Sequence, residues 1–361
     1  MLSLVLKKMF FSIEQKLNMK IIMNSCVALS LCFSFHVVSI PCQWKQLHPL
    51  DEGCLINEII SGNLVAVKNF VNQGLDVNST LNCGVTPLYI ASQEGHLDIF
   101  EYLVERGANI NKACAGGDTC LHVSVQRFQE KVVEFLLNHG ADVNAISRLG
   151  YAPLHVAAQV GYEKAVTSLL DHGANASIHV NGGVNPICVA ALNGHLNIVK
   201  RLARHGADIN EISIDGCTPL HGASVYGHVD VVKWLLDQKA NVNVRMNQGA
   251  TPLYVAAQEG FLEIVKRLID HGSNINEVCI DGCIPLHIAS QEGHSDVVEY
   301  LLTHNAKVKA TNDHGKTAFQ LAIEGKQFGI KEHEYEKIVY LLRGYMSDHE
   351  VCNIIRIAPA A

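Results

Sequence analysis

The sequence predicts an all-α solenoid, a stack of helix–turn–helix units with hairpin-like fingers between them, and three periodicities predict it. Gly84, Gly117, Gly150, Gly183, Gly216, Gly249, Gly282 and Gly315 follow one another at a single constant interval, without insertion. Leu103, Leu136, Leu169, Leu202, Leu235, Leu268 and Leu301 keep the same step. So does a small residue, at Ala91, Ser124, Ala157, Ala190, Ala223, Ala256, Ala289 and Ala322. A glycine, a leucine and a small residue recurring in one register mark a single structural unit used repeatedly, not a globular domain with one core.

The elements of a unit read most clearly from Asp215 to Leu236. Asp215-Gly216 is a tight-turn pair, so the chain turns back on itself there as a finger. Thr218 is a good N-cap, because its hydroxyl accepts a bond from a free amide one turn in. Pro219 follows at the first helical position, where a missing N–H costs nothing. Leu220 and Ala223 share one face, and the small alanine admits a neighbouring helix at close range. Gly227 ends this helix in the left-handed conformation. Val231, Val232, Leu235 and Leu236 then space a second helix with one buried face.

The strings Thr251-Pro252-Leu253-Tyr254, Gly293-His294-Ser295-Asp296-Val297-Val298 and Gly140-Ala141-Asp142-Val143-Asn144 closely resemble the ankyrin repeat family. The resemblance runs from about Leu50 to about Tyr345 and implies two antiparallel helices and a projecting finger per unit, stacked as a solenoid. We count about nine repeats including degenerate caps. The chain divides into an apolar leader over 1–49, the array over 50–345 and a tail over 346–361. Full-register units start near 81, 114, 147, 180, 213, 246, 279 and 312. The first unit has Asn57-Glu58 in place of a small buried pair, and the last carries an insertion around Lys326 to Glu334. Both suit terminal caps, whose outer face no neighbour covers. The third unit departs most, with Cys120 for the proline and Phe128 for the interhelix glycine; it is expected to be the weakest. Lys239 and Asn305 stand where a left-handed glycine usually follows the second helix.

Composition excludes several function classes. A net charge of −7, with no basic stripe, argues against nucleic acid, which needs clustered cations. The 12 cysteines show no paired zinc spacing, so neither a metal nor any cofactor is called for. Cys279 and Cys283 flank a finger turn and could pair only in an oxidising compartment; Cys83, Cys114 and Cys217 read as partly exposed thiols. The 19 histidines fall mostly into three places, each recurring once per unit, which makes them structural rather than ligating. No phosphate loop, nucleophile elbow or carboxylate pair is present, and the residues outside the repeats are too few for a catalytic domain, so the chain reads as no enzyme.

Residues 21–40 are apolar and follow Lys7, Lys8, Lys16 and Lys20, the layout of a signal peptide or single membrane anchor. Two locations therefore stand: cytoplasmic, or secreted or membrane-anchored if this segment acts as a signal. In the second case Asn78 and Asn175 would be glycan acceptors, and the chain would be an effector binding a target protein outside its own cytoplasm. In either case the chain reads as a monomeric scaffold for a protein partner. The resemblance places contact residues just after the finger glycine and just before the interhelix glycine. In this sequence those are Tyr151, Val160, Leu192, Asn193, Val225, Tyr226, Gln258, Glu259, Gln291 and Glu292. Tyr151, Val160, Leu192 and Tyr226 would anchor the partner, with Glu259 and Glu292 receiving its Lys or Arg side chains, an apolar centre within a polar rim.

Overall fold

Thr86, Thr218 and Thr251 cap their helices as expected: each hydroxyl accepts from the amide three residues on, at 3.1, 3.4 and 3.2 Å. The computed structural model of the chain describes residues 52–80, 84–179, 183–326 and 331–347. The apolar segment 21–40 and the tail beyond 347 lie outside the described residues, as does Cys83.

Helices come in pairs throughout. They are α1 (Glu52–Ile60) with α2 (Leu64–Asn72), α3 (Pro87–Glu94) with α4 (Leu97–Glu105), and α5 (Cys120–Gln126) with α6 (Glu130–Asn138). Next come α7 (Pro153–Val160) with α8 (Glu163–Asp171), α9 (Pro186–Leu192) with α10 (Leu196–Arg204), and α11 (Pro219–Val225) with α12 (Val229–Asp237). The last are α13 (Pro252–Glu259) with α14 (Leu262–Asp270), α15 (Pro285–Glu292) with α16 (Ser295–Thr303), and α17 (Ala318–Lys326) with α18 (Glu332–Arg343). Among the described residues these 18 helices make nine units, with no strand. They fall into two compact bodies, one of Met1–Ala190 with Asn197–Asp208 and the other of Ala191–Leu196 with Ile209–Ala361. In the first body α1, α3, α5 and α7 pack in sequence, backed by α2, α4, α6 and α8. The second repeats the plan with α11, α13, α15 and α17, backed by α12, α14, α16 and α18.

The periodic residues are the core. All seven register leucines, Leu103 to Leu301, and all eight small residues, Ala91 to Ala322, have 0% exposure. Truncating one such leucine costs about 2–5 kcal/mol, since the lost contacts are not refilled. The finger glycines are needed for two reasons. Gly216 has φ +78°, and a β-carbon there would come within 2.8 Å of the Asn247 amide on the next finger. That approach lets the Asn247 N–H donate to the Asp215 carbonyl at 3.0 Å, tying finger to finger.

Three side-chain ladders join the units. Asparagines one register step apart form the first: Asn111 donates to the Gly140 carbonyl at 3.1 Å and accepts from the Asp142 amide at 2.8 Å. Asn78 does the same toward Gly107 and Asn109, so this glycan-type asparagine already uses its amide within the array. The second ladder reaches backward: Nε2 of His96, His228 and His294 meets the carbonyls of Ile60, Leu192 and Gln258 at 3.2, 2.9 and 3.0 Å.

The third ladder reaches forward, through histidines in the first turn of the leading helices. Nδ1 of His122, His155, His221 and His287 accepts from the amides of Thr119, Ala152, Thr218 and Ile284 at 3.1–3.3 Å. Nε2 of the same rings meets the carbonyls of Tyr151, Val184, Ala250 and Ala310 at 2.9–3.3 Å. An acceptor at one nitrogen and a donor at the other is the neutral imidazole. Burial accordingly pushes His122, His155 and His221 down to about 4, and His287 down as well.

The third unit departs as expected. Phe128 sits at φ +59° in the glycine place, 52% exposed, its ring 4.9 Å from that of Tyr162. Lys239 and Asn305 also take positive φ, 64° and 66°. A further weakness is Asp118, which occupies the place of the buried Tyr151, Val184, Cys217, Ala250 and Cys283. Its Oδ1 is buried without a hydrogen-bond partner, and burial pushes its carboxyl up to about 6.

Three outcomes are expected. Because the bridging histidines titrate below their ordinary 6.5, the unfolded chain binds more protons at mildly acid pH. Their stabilisation is complete above 6.5 and is lost as pH falls from there toward about 4; urea midpoints measured across that range should drop steadily. Second, Asp118→Val should raise stability near neutral pH by about 1 kcal/mol by removing the orphaned oxygen. Hydrogen exchange should find α5 and α6 less protected than α3 and α4 or α7 and α8.

Candidate partner-binding face

Consecutive helical residues point about 100° apart, so two neighbours at a helix end can differ sharply in burial. At the ends of α9, α11 and α13 the second of the two is the more accessible. Leu192, Val225 and Gln258 are buried, at 9%, 4% and 4% exposure, whereas Asn193, Tyr226 and Glu259 are half-buried. Gln291 and Glu292 are both half-buried, and the C-terminal cap holds their backbone: Tyr335 Oη donates to the Gln291 carbonyl at 2.7 Å and Lys331 Nζ to that of Glu292 at 3.0 Å. The expectation that Leu192 and Val225 present apolar surface is corrected, since the helix turn directs both into the stack.

Tyr151 is corrected for a different reason. It lies at 2% exposure, with its amide on Ser147 Oγ at 3.2 Å, its carbonyl accepting from His122, and its ring edge-on to His155 at 5.6 Å. The base of a finger is where a neighbouring unit is stapled on, so an aromatic there is packing. Val160, in the first body, is half-buried at the end of α7. Tyr226 remains accessible in the second body, its ring stacked over that of His228 with centroids 6.4 Å apart.

The fingers carry residues that the sequence reading did not single out. Ile212 and Ile214 are 54% and 69% exposed, while Ser213 between them is buried and its amide donates to the Cys217 carbonyl at 2.9 Å. An extended arm puts alternate side chains on opposite sides, and here the isoleucines take the outer side. Val278, two register steps from Ile212, is 49% exposed. Between them in register, Arg245 pairs with Glu277 at 3.1 Å and also donates to the Val278 carbonyl. The second body therefore carries exposed aliphatic side chains on two fingers, with Arg245 on the finger between, and accessible helix ends bearing Asn193, Tyr226, Glu259 and Glu292. The apolar-in-polar alternation of Ile212-Ser213-Ile214 was the available signal.

Among the described residues no three His, Cys, Asp or Glu side chains gather as a metal site. Cys279 and Cys283 do face each other across a finger, the Cys279 amide donating to the Cys283 carbonyl at 2.8 Å. Both are thiols; burial pushes Cys279 up to about 12 and raises Cys283, which holds them protonated and unreactive. Cys217, expected to be partly exposed, is buried at 9% because it sits at the finger base.

A family model of ankyrin repeats (3 copies) matches six overlapping stretches, 55–147, 116–181, 154–246, 187–279, 230–312 and 274–349. The chain belongs to the ankyrin repeat family. Similar solved structures include the human ASB11 ankyrin repeat domain, at TM-score 0.55 and 28% identity, covering 61% of this chain and 98% of that one. Similar curated proteins are protein phosphatase 1 regulatory subunit 27 of human and of mouse, each 40% identical over 57 residues, or 16% of this chain. The match spans 37% of those relatives' length. In an ankyrin array the helix ends and fingers are what each unit leaves uncovered once its flanks are stacked, so sequence variation there changes the surface without changing the fold. Hydroxyl-radical footprinting is expected to modify Ile214 and Tyr226 strongly and Tyr151 and Val225 weakly. Equal modification of Tyr151 and Tyr226 would contradict the burial described here.

Proposed function

We propose that the chain is a non-catalytic scaffold that binds a protein partner on the concave side of its ankyrin array. The partner would seat across the fingertips Ile212, Ile214 and Val278 and the helix ends bearing Asn193, Tyr226, Glu259 and Glu292. The observation that carries this reading is the set of exposed aliphatic side chains on two fingers, 49–69% accessible, beside buried finger-base residues such as Ser213, Cys217, Cys279 and Cys283. Scattered exposed aliphatics need no explanation, but two on one finger and a third at the same register two fingers on, together with an accessible tyrosine in the same body, would supply the apolar contacts that concentrate binding energy. Glu259 and Glu292, at the same place in successive units, supply a negative margin suited to a partner bearing Lys or Arg. The fold supports the same reading, since ankyrin repeats are typically interaction modules without catalytic groups. The curated relatives, named as regulatory subunits of a phosphatase, are consistent with a binding role. Val160 occupies the corresponding helix-end place in the first body.

The test is comparative capture. Partners retained by the full chain should be lost, with affinity falling at least about tenfold, in Tyr226→Ala and Ile214→Asp variants whose thermal midpoints are unchanged. Retention within twofold by both variants would sink the reading.

A further inference from the structure

A second surface lies on the backing helices of the first body, away from the fingers. Side chains of those helices meet their neighbours at an offset of 34 residues. Lys164 pairs with Glu130 at 2.9 Å, Asn197 donates to Glu163 at 2.8 Å, and Arg106 donates to Asn72 at 3.2 Å. Of these contacts only Lys164–Glu130 joins opposite charges, and helix α10 differs in the number of cations it carries. Its sequence, Leu196-Asn197-Ile198-Val199-Lys200-Arg201-Leu202-Ala203-Arg204, holds three cations and no acid. At the same offset before Lys200, Arg201 and Arg204 stand Val166, Thr167 and Leu170, which carry no charge. None of the three cations has a carboxylate within ion-pair distance among the described residues.

The other backing helices do not share this. Helix α14 also carries a Lys-Arg pair, but Arg267 is neutralised by Glu263 at 2.8 Å. Nor is capping a sufficient reason for the cluster. Arg201 and Arg204 lie in the last turn, where a cation is favoured, yet His205 already donates from Nδ1 to the Arg201 carbonyl at 2.9 Å. His139, His172 and His304 cap their helices in the same way with no cation in the last turn.

The three cations line one cavity of about 300 Å³, together with Glu163, Asn197 and Ile198. We propose that this cavity binds an acidic peptide segment of a protein partner, with two or more Asp or Glu side chains taken by Lys200, Arg201 and Arg204. Arginine forks bind carboxylates through pairs of parallel hydrogen bonds, which suits planar recognition. The cations span one helical turn, about 6 Å, a spacing that reads separate carboxylates along a chain better than one compact anion. Glu163, its carboxylate held by Asn197, forms a negative wall that disfavours filling the space with a free polyanion; a peptide can turn an amide toward it. The chain's net charge of −7 makes this local cationic surface the exception. The site is independent of the fingertip face and stands or falls separately.

The test uses the full chain and a fluorescein-labelled Glu-rich peptide, with the same peptide carrying Gln for Glu as control, read by fluorescence anisotropy. The Glu peptide is expected to bind and the Gln peptide not to. Arg201→Ala with Arg204→Ala should weaken binding at least about tenfold and flatten its salt dependence, leaving the circular dichroism spectrum and thermal midpoint unchanged. A control pair, Lys131→Ala with Lys164→Ala on the same layer, should change affinity less than twofold. Equal loss in the control pair, or no loss in the arginine pair, would overturn the proposal. So would displacement of the peptide by inorganic phosphate at an equal concentration, which would mark a generic anion site.

Discussion

The arrangement of this protein depends on an imidazole kept neutral between two backbone groups. At His122, His155, His221 and His287 one ring nitrogen accepts from the amide that opens its own helix, and the other meets a carbonyl of the following finger. Each ring therefore satisfies a helix-terminal N–H and adds a bond from the preceding unit to a finger C=O; those of Tyr151 and Ala250 also accept the amides of Ser147 and Met246. It also fixes where the next finger sits. A protonated ring would have to point a donor at the Thr119, Ala152, Thr218 or Ile284 amide, so charge and stacking are incompatible. The asparagine ladder and the backward-reaching histidines add links at other levels, but only this one sets the finger against the helix start.

That constraint decides what is left for recognition. Stapling the finger base consumes Tyr151 and Cys217 as packing, and stacking the helices consumes Leu192 and Val225. The outer sides of the finger arms and the last side chain before the interhelix turn stay accessible, which is why Ile212, Ile214, Val278 and Tyr226 are not consumed by the stack. Units that lose a link show it locally. In the third unit Gln129 takes the place of the backward histidine and donates to the Gln93 carbonyl at 3.1 Å, while Phe128 holds a conformation suited to glycine.

Much of this was legible in the sequence, and the boundary of legibility is physical. A constant repeat length assigns every position to a class, so the caps, buried leucines, positive φ at Phe128, Lys239 and Asn305, and structural histidines could be read directly. The histidine bonds themselves could not, because each ends on a carbonyl 23 to 29 residues away whose placement is tertiary. Which of two adjacent helix-end residues faces outward was equally hidden: the period places Val225 and Tyr226 together, and the turn of the helix separates them. The cationic cavity escaped because Lys200, Arg201 and Arg204 look like an ordinary solvated face until the neutral Val166, Thr167 and Leu170 opposite are considered.

The most direct measurement is an imidazole nitrogen spectrum of the histidine-labelled protein followed through a pH titration. Protonated Nε2 and unprotonated Nδ1 are expected for His122, His155, His221 and His287, persisting below the ordinary 6.5 until the array unfolds. Titration of these four rings near 6.5 in the folded protein, or a protonated Nδ1 in the neutral form, would contradict the bridge on which the stacking is argued to rest.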